Sequence, residues 1–250
     1  MTVRVAAPAD IHGNLPALEA VLEEVRRESP ELVVVCGDVA SGPMPAQTID
    51  LLTGLTEVRF VSGNADRGLV EAFDHQEGAG WSGPFGEWCA GQISREDRDF
   101  LDSFQATVVV EDVVGLGRVL FCHGSPRSDV EIMTVETPDE RIRAFTAGLD
   151  VDVVVCGHTH MQFDRTVGRL RVVNPGSVGM PSGEPGAFWA MLGPGVEMRR
   201  TEYDREAAAT RIRALDWPVA EEFARENVLT VPSMEEAMAF MHEMEAKQSL

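Results

Sequence analysis

The stretch Ala9-Asp10-Ile11-His12-Gly13-Asn14 decides how this chain is expected to fold. It follows an apolar run, Val3–Ala9, that is typical of a buried strand. It precedes Leu15–Arg27, in which leucine and valine recur on one face as in an amphipathic helix. A strand, a short turn rich in polar side chains and a helix together form the first unit of an α/β fold.

The same alternation continues along the chain and predicts an α/β protein that becomes richer in strands in its second half. Further strands are predicted at Leu32–Cys36, Val58–Val61, Val108–Val114, Arg118–Cys122, Val151–Cys156, Gln162–Val167, Leu170–Val173, Ala187–Leu192 and Val196–Tyr203. Further helices are predicted near Ala46–Leu55, Arg95–Phe104, Pro138–Leu149, Arg205–Leu215, Val219–Glu226 and Ser233–Glu245. The segment Phe73–Gly91 is predicted to be a surface loop. Its aromatic residues Trp81, Phe85 and Trp88 fit either a packed lid or a surface that stacks on a base.

Polar side chains that can bind metals follow the predicted strands within a few residues. They are Asp10, His12, Asp38, Asn64, His123, His158 and His160, and they include four of the six histidines. Because the ends of strands in an open α/β sheet meet at one edge, we expect these side chains to converge. Glycines adjoin most of them, as sharp turns with a close backbone approach require. Any one of these residues alone is more often a cap or a turn residue, but the set together indicates a metal site.

The ordered motifs resemble those of the calcineurin-like metallophosphoesterase superfamily. They are ADIHGN (9–14), CGDV (36–39), GNAD (63–66), CHGSP (122–126) and GHTH (157–160), and NPGSVG (174–179) is similar to a small bacterial branch of phosphodiesterases and diadenosine-polyphosphate hydrolases. The resemblance covers about residues 3–203. It implies a four-layer αββα sandwich of two mixed β-sheets flanked by helices. We expect a single domain over residues 1–250, in which 204–250 form a helical appendage.

The resemblance also implies the ligand sets of two divalent metal ions. By this resemblance, one ion is held by Asp10, His12, Asp38 and His160. The other is held by Asp38, Asn64, His123 and His158. Such a pair activates a bridging hydroxide for attack on phosphorus. Asp38, Asn64 and His123 are therefore expected as catalytic residues. Mixed imidazole, carboxylate and amide ligands suit Mn²⁺, which we expect first, with Fe, Zn, Ni or Co as alternatives.

Two further residues near these motifs are predicted to bind substrate. Asn14 follows the first glycine turn and is expected to orient substrate or a water molecule. Arg67 follows GNAD and is expected to contact a phosphate oxygen, because guanidinium groups pair well with oxyanions. The alternative for Arg67 is an ion pair with Asp66 or another neighbour.

The chain departs from the family pattern at Ala65. Many members carry a histidine after the GN asparagine, where it protonates the leaving group. General acid catalysis contributes about 10²–10⁴-fold, so its loss matters most for poor leaving groups. We therefore expect a preference for good leaving groups, or another acid, for which His75 is a candidate.

Composition limits the remaining possibilities. A net charge of −20 argues against non-specific binding to nucleic acid or to anionic membranes. No apolar run is long enough to span a membrane and no signal peptide is apparent, so a cytoplasmic enzyme is expected. The four cysteines lack CxxC spacing and are expected to be reduced core residues. The expected partner is a small phosphoester or nucleotide, and the amphipathic stretch Ser233–Glu245 fits either packing on its own domain or a homo-oligomer contact.

Two competing hypotheses belong to other functional classes. One is a non-catalytic scaffold that keeps the fold and a stabilising metal, which the loss of the acid at Ala65 favours. The retained full ligand set counts against this hypothesis, because buried carboxylates and imidazoles that converge without a metal would be costly. The other, an unrelated metallohydrolase for amides, disagrees with the order of the motifs.

Overall fold

The computed structural model of the protein describes residues 2–74 and 84–248, and it contains two five-stranded sheets. The strands are β1 (Val5–Pro8), β2 (Leu32–Val35), β3 (Val58–Phe60), β4 (Val108–Val113), β5 (Gly117–Phe121), β6 (Val153–Val155), β7 (Phe163–Val167), β8 (Leu170–Asn174), β9 (Ala187–Leu192) and β10 (Val196–Thr201). The first sheet has the order β10-β9-β1-β2-β3, and the second has the order β4-β5-β6-β8-β7. Each sheet has three parallel strands, β1, β2 and β3 in one and β5, β6 and β8 in the other. The remaining pairings are antiparallel, so both sheets are mixed.

Helices lie between and after the strands. They are α1 (Leu15–Glu28), α2 (Pro45–Thr53), α3 (Asn64–Phe73), α4 (Pro84–Ala90), α5 (Arg95–Asp102), α6 (Asp139–Phe145), α7 (Arg205–Arg213), α8 (Ala220–Phe223) and α9 (Met234–Gln248). A π-helical segment, Ala224–Leu229, continues directly from α8. Within the described part of the chain, no helix has the length and apolar character needed to cross a membrane.

The two sheets pack face to face, and helices cover their outer faces. Side chains of β1 alternate, so Val5 and Ala7 point into the core between the sheets with Phe121 of the second sheet. Ala6 points the other way, into the core that includes Leu18 of α1. The outer face of the second sheet packs against α6 in a further core cluster. The predicted four-layer αββα sandwich is confirmed.

The C-terminal helices pack on the first half of the chain. Ala209, Ile212 and Trp217 share a core cluster with Leu15 and Met44. Helix α9 reaches the second sheet's side of the molecule, where ion pairs join Glu245 to Arg141 and His242 to Glu136. The assignment of residues 1–250 to one domain with an appendage at 204–250 stays a prediction.

The prediction of a surface loop over Phe73–Gly91 is wrong at its described end. Residues Pro84–Ala90 form α4, and the indole Nε1 of Trp88 donates a hydrogen bond to the carbonyl of Asp216 at 2.6 Å. Phe85 and Trp88 both pack on Trp217, at ring-centroid distances of 5.5 and 5.7 Å. These two aromatic side chains therefore belong to a packed cluster. His75 and Trp81, for which a catalytic and a stacking role were considered, lie outside the described residues.

Candidate metal centre

The turns that carry the ligand candidates have an uncommon backbone conformation. Positive φ angles occur at Asp10 (52°), His12 (47°), Asp38 (54°), His158 (69°) and His160 (59°). L-residues adopt this left-handed region rarely, and such residues cluster at functional sites. Among the described residues, the other non-glycine cases are Ser29 and Glu57. Five of the seven ligand candidates thus sit in turns that only the surrounding structure can hold in place.

Backbone hydrogen bonds hold these turns against one another. The N–H of Asp10 donates to the carbonyl of Gly37 at 3.0 Å, and the N–H of His12 donates to the carbonyl of Asp38 at 2.9 Å. The N–H of His158 donates to the carboxylate of Asp10 at 3.0 Å, which links the two sheets. The turns after β1, β2 and β6 therefore form one continuous network at the carboxyl ends of the parallel strands.

The structure brings the predicted ligands together in two neighbouring groups. In each group, one ligand atom per residue lies within 4.8 Å of the others. The first group is Asp10, His12 and His160, and the second is Asp38, His123 and His158. Asn64 joins the second group, because its Oδ1 lies 3.1 Å from Nε2 of His123.

Asp38 lies between the two groups. Its Oδ2 is 3.3 Å from Nε2 of His123 in its own group and 3.7 Å from Nε2 of His12 in the other. Its Oδ1 accepts a hydrogen bond from the backbone N–H of Ala65 at 2.8 Å. One carboxylate oxygen is thus fixed by the protein, while the other faces both histidines.

The imidazole rings are oriented so that Nε2 faces the centre. Nδ1 of His123 lies 2.8 Å from the carbonyl of Cys36, and Nδ1 of His160 lies 2.9 Å from the carbonyl of Met180. Nδ1 of His12 lies 3.3 Å from the carbonyl of Ser41. A carbonyl oxygen only accepts, so each of these Nδ1 atoms carries a hydrogen and Nε2 is the atom directed inward.

This orientation fits a cation. Nε2 of His12 and Nε2 of His160 are only 3.1 Å apart. Two neutral rings with their hydrogens on Nδ1 would direct two lone pairs at each other across this distance. A proton or a metal ion near both nitrogens removes that repulsion. The carboxylate of Asp10, whose Oδ1 is 3.5 Å from Nε2 of His160, completes a donor set suited to a divalent transition metal.

Burial and neighbouring charges together shift the pKa values of the histidines in different directions. Burial, followed by the neighbouring charge of His123, lowers the pKa of His158 to about 4. Burial and His160 also lower the pKa of His12. For His123, burial would lower the pKa, but the carboxylates of Asp38 and Asp10 outweigh it and raise the pKa to about 10. Without metal, His123 therefore holds a proton that a cation must replace.

Asp66 is a functional residue that the sequence analysis missed. Its buried carboxylate accepts hydrogen bonds from the backbone N–H groups of Asp38 at 2.8 Å, Val39 at 2.8 Å and Gly63 at 3.0 Å. Burial, followed by the charge of Asp38, raises the pKa of Asp66 to about 7. The position of Asp66 in the first turn of α3, after a glycine, is a recognisable signal for a group that caps a helix.

Asn174 and Ser177, in the NPGSVG segment, support the neighbouring turns. Nδ2 of Asn174 donates to the carbonyl of Gly157 at 2.8 Å and to Oγ1 of Thr159 at 3.0 Å. Oγ of Ser177 donates to the carbonyl of Asp10 at 2.7 Å. This segment shapes the wall beside GHTH through hydrogen bonds.

The two predicted substrate residues have different surroundings. Asn14 is fully buried and caps α1, because its Oδ1 accepts the N–H of Ala17 at 3.4 Å and its Nδ2 donates to the carbonyl of Gly179 at 3.0 Å. Its role in orienting substrate or a water molecule stays a prediction. Arg67 is half-exposed, and it pairs with Asp129 at 2.9 Å and Glu71 at 3.4 Å instead of with Asp66.

The structure combines a two-sheet sandwich with two adjacent groups of potential metal ligands at the ends of its parallel strands. The family described as the calcineurin-like phosphoesterase superfamily domain matches residues 3–193. This chain belongs to that superfamily. The family and the two ligand groups together support a metal-dependent phosphoesterase.

Relatives and solved structures agree with this placement. An uncharacterized protein of Methanocaldococcus jannaschii is 29% identical over 230 residues, which cover 83% of this chain and 91% of the relative. Phosphodiesterase YfcE of Escherichia coli is 27% identical over 195 residues, which cover 74% of this chain and 84% of that protein. The crystal structure of a metallophosphoesterase from Sphaerobacter thermophilus shares the fold, with a TM-score of 0.73, 23% identity and coverage of 92% of this chain and 99% of that one.

Proposed function

We propose that this protein hydrolyses phosphodiesters or nucleotide phosphoanhydrides at a centre of two divalent metal ions. The observation that carries the proposal is the position of Asp38 between the two ligand groups, with one oxygen facing a histidine of each. We propose that Asp10, His12, Asp38 and His160 hold one ion, and that Asp38, Asn64, His123 and His158 hold the other. Mn²⁺ is the ion we expect first.

Two divalent cations at this place would supply a hydroxide nucleophile at neutral pH and offset the charge on the phosphoryl oxygens. The protein's part is to hold the ligands in place before substrate arrives. The left-handed turns and the carbonyl-bonded Nδ1 atoms fix the rings, so little reorganisation is needed on binding. Asn64 uses Oδ1 toward the centre, which leaves its Nδ2 group to donate to a phosphoryl oxygen.

Arg67 is the residue we propose to contact the substrate's phosphate from outside the metal centre. It lines the same cavity as His123. Asp129 and Glu71 orient its guanidinium group but do not use all of its N–H donors. Asn14 supports the first turn through its hydrogen bonds with Ala17 and Gly179.

The test uses metal-free protein titrated with Mn²⁺ and bis(p-nitrophenyl) phosphate as substrate. We expect release of p-nitrophenolate only with metal, and we expect Asp38→Asn to lose it even when metal is in excess. Thermal unfolding of both proteins separates catalysis from stability. If the protein is a scaffold, as Ala65 could suggest, Asp38→Asn would change the unfolding temperature while neither protein turned over substrate.

A further inference from the structure

Two cavities are each lined by one histidine of the candidate metal centre. The larger, of about 630 Å³, has His123 in its wall together with Arg67 and Leu101. The smaller, of about 180 Å³, has His160 in its wall together with Phe188 and Met234. His123 and His160 belong to different ligand groups, so one residue of each group lines a cavity.

A phosphodiester has two organic groups on one phosphorus, and two cavities of different size match two groups of different size. The larger volume is within the range of about 300–1,000 Å³ that is typical of small-molecule sites. It has room for a group as large as a nucleoside, whereas the smaller cavity suits a single ring or a short alkyl group. A phosphomonoester would leave one cavity without an occupant.

The charges of the larger cavity indicate what kind of group it takes. Its described lining holds three arginines and three carboxylates, namely Arg67, Arg98, Arg127, Glu71, Asp102 and Asp129. Each arginine is already paired with a carboxylate. Arg67 pairs with Asp129, Arg98 pairs with Asp102 at 2.8 Å, and Arg127 pairs with Glu131. The lining arginines and carboxylates are equal in number, so the cavity has no excess of positive charge to attract phosphate groups beyond the one that Arg67 contacts.

The charge of the whole protein also disfavours substrates that carry several negative charges. With a net charge of −20, the protein repels polyanions more strongly than it repels a diester with a single negative charge. A dinucleoside polyphosphate would meet both this long-range repulsion and the neutral cavity.

We infer that the substrate is an asymmetric phosphodiester whose larger, uncharged organic group, of nucleoside size, occupies the cavity beside His123. The smaller ester group then lies in the cavity beside His160. This inference rests on the proposed phosphoesterase function and selects diesters over polyphosphate anhydrides within it.

Ala106 offers a way to fill the larger cavity. It lines the cavity but is exposed, so a larger side chain there need not displace the core. Ala106→Trp is the test variant, and Ala106→Phe is a smaller filling that keeps the test available if the tryptophan impairs folding. Ala207→Trp is the matched control, because Ala207 is exposed at the start of α7 and does not line the cavity.

The experiment measures kcat/KM of the Mn²⁺-loaded protein for two diesters that release the same p-nitrophenolate. They are methyl p-nitrophenyl phosphate and thymidine 5′-(p-nitrophenyl) phosphate. We expect the wild-type protein to favour the thymidine diester by about tenfold or more, since a buried organic group typically gives that discrimination. Ala106→Trp or Ala106→Phe should reduce this ratio toward one, and Ala207→Trp should keep it.

Three outcomes would overturn the inference. They are a ratio near one in the wild-type protein, a ratio unchanged by both Ala106 variants, and a higher kcat/KM for diadenosine tetraphosphate than for the thymidine diester. Each of these still requires metal-dependent hydrolysis and so leaves the proposed function intact. If none of the three compounds were hydrolysed with Mn²⁺ present, that result would instead contradict the proposed function.

Discussion

The carboxylate of Asp66 accepts the backbone N–H of Asp38 at 2.8 Å and thereby fixes the turn that carries the ligand shared by both groups. The same carboxylate accepts the N–H of Gly63, next to Asn64. One buried side chain thus sets the separation of two proposed ligands that follow different strands. Asp66 binds no metal in the proposed scheme, yet the geometry of the centre depends on it.

Asp66→Asn should weaken metal binding by about 10- to 100-fold, as is usual when a group that orients a ligand is changed. An amide has one acceptor oxygen, and its NH₂ group would face a backbone donor. The measurement is the Mn²⁺ dissociation constant of the metal-free protein by calorimetry. Asp97→Asn is the matched control, because Asp97 accepts the N–H of Ser94 in the same way at the start of α5. Equal affinities for the wild-type protein and Asp66→Asn would show that the turn at Asp38 keeps its conformation without the Asp66 carboxylate.

Metal binding should release protons at pH 8. His123 has a raised pKa of about 10 in the metal-free protein, so it is an imidazolium at pH 8 and must lose its proton before Nε2 can bind a metal. Apparent affinity should therefore rise with pH until the pH passes this pKa. Calorimetry in buffers of different ionisation enthalpy measures the released protons directly. A heat of binding that is the same in every buffer would contradict the assignment of the proton.

Gly63→Ala should displace Asp38. A Cβ at this position would lie 2.1 Å from Oδ1 of Asp38 and 2.6 Å from its backbone nitrogen, and neither distance is sterically allowed. Since Asp38 is the shared ligand, we expect loss of metal binding and of activity. Gly195→Ala is the control, because a Cβ there meets no atom of the described residues within 4 Å. Full activity of Gly63→Ala would mean that the carboxylate has more freedom than these contacts imply.

The rate should depend steeply on the acidity of the leaving group. Ala65 provides no proton donor, and its backbone N–H is already bonded to Asp38. A series of substituted phenyl diesters measures this dependence, and Ala65→His should flatten it by aiding the poorer leaving groups. Because Ala65 is fully buried, thermal unfolding of the variant must be recorded alongside. A folded Ala65→His protein with the same dependence on leaving group would refute a missing general acid.

The ligand candidates could be predicted from the sequence because each follows an apolar strand in a turn rich in glycine. Parallel strands bring Asp10 and Asp38 together at the edge of one sheet, and His123 and His158 together at the edge of the other. Strand direction alone predicts each of these pairs, whereas the meeting of the two pairs depends on the face-to-face packing of the sheets.

Other parts of the site depend on contacts that no local pattern records. Asp66 acts on the backbone of Asp38 and Val39, which lie on another turn. The helix Asn64–Phe73 was not predicted, since Gly68 lowers its helix propensity and burial of residues such as Leu69 stabilises it. The burial of Asn14 follows from its contact with Gly179, far along the chain.

The proposed function requires two metal ions per chain, with Asp38 as a ligand of both. The decisive measurement is the Mn²⁺ content of the loaded, gel-filtered protein by mass spectrometry, together with its activity on bis(p-nitrophenyl) phosphate. We predict two ions per chain with turnover in the wild-type protein, and fewer than two without turnover in Asp38→Asn. An active wild-type protein with one ion or none, or an Asp38→Asn protein with two ions and full turnover, would contradict it.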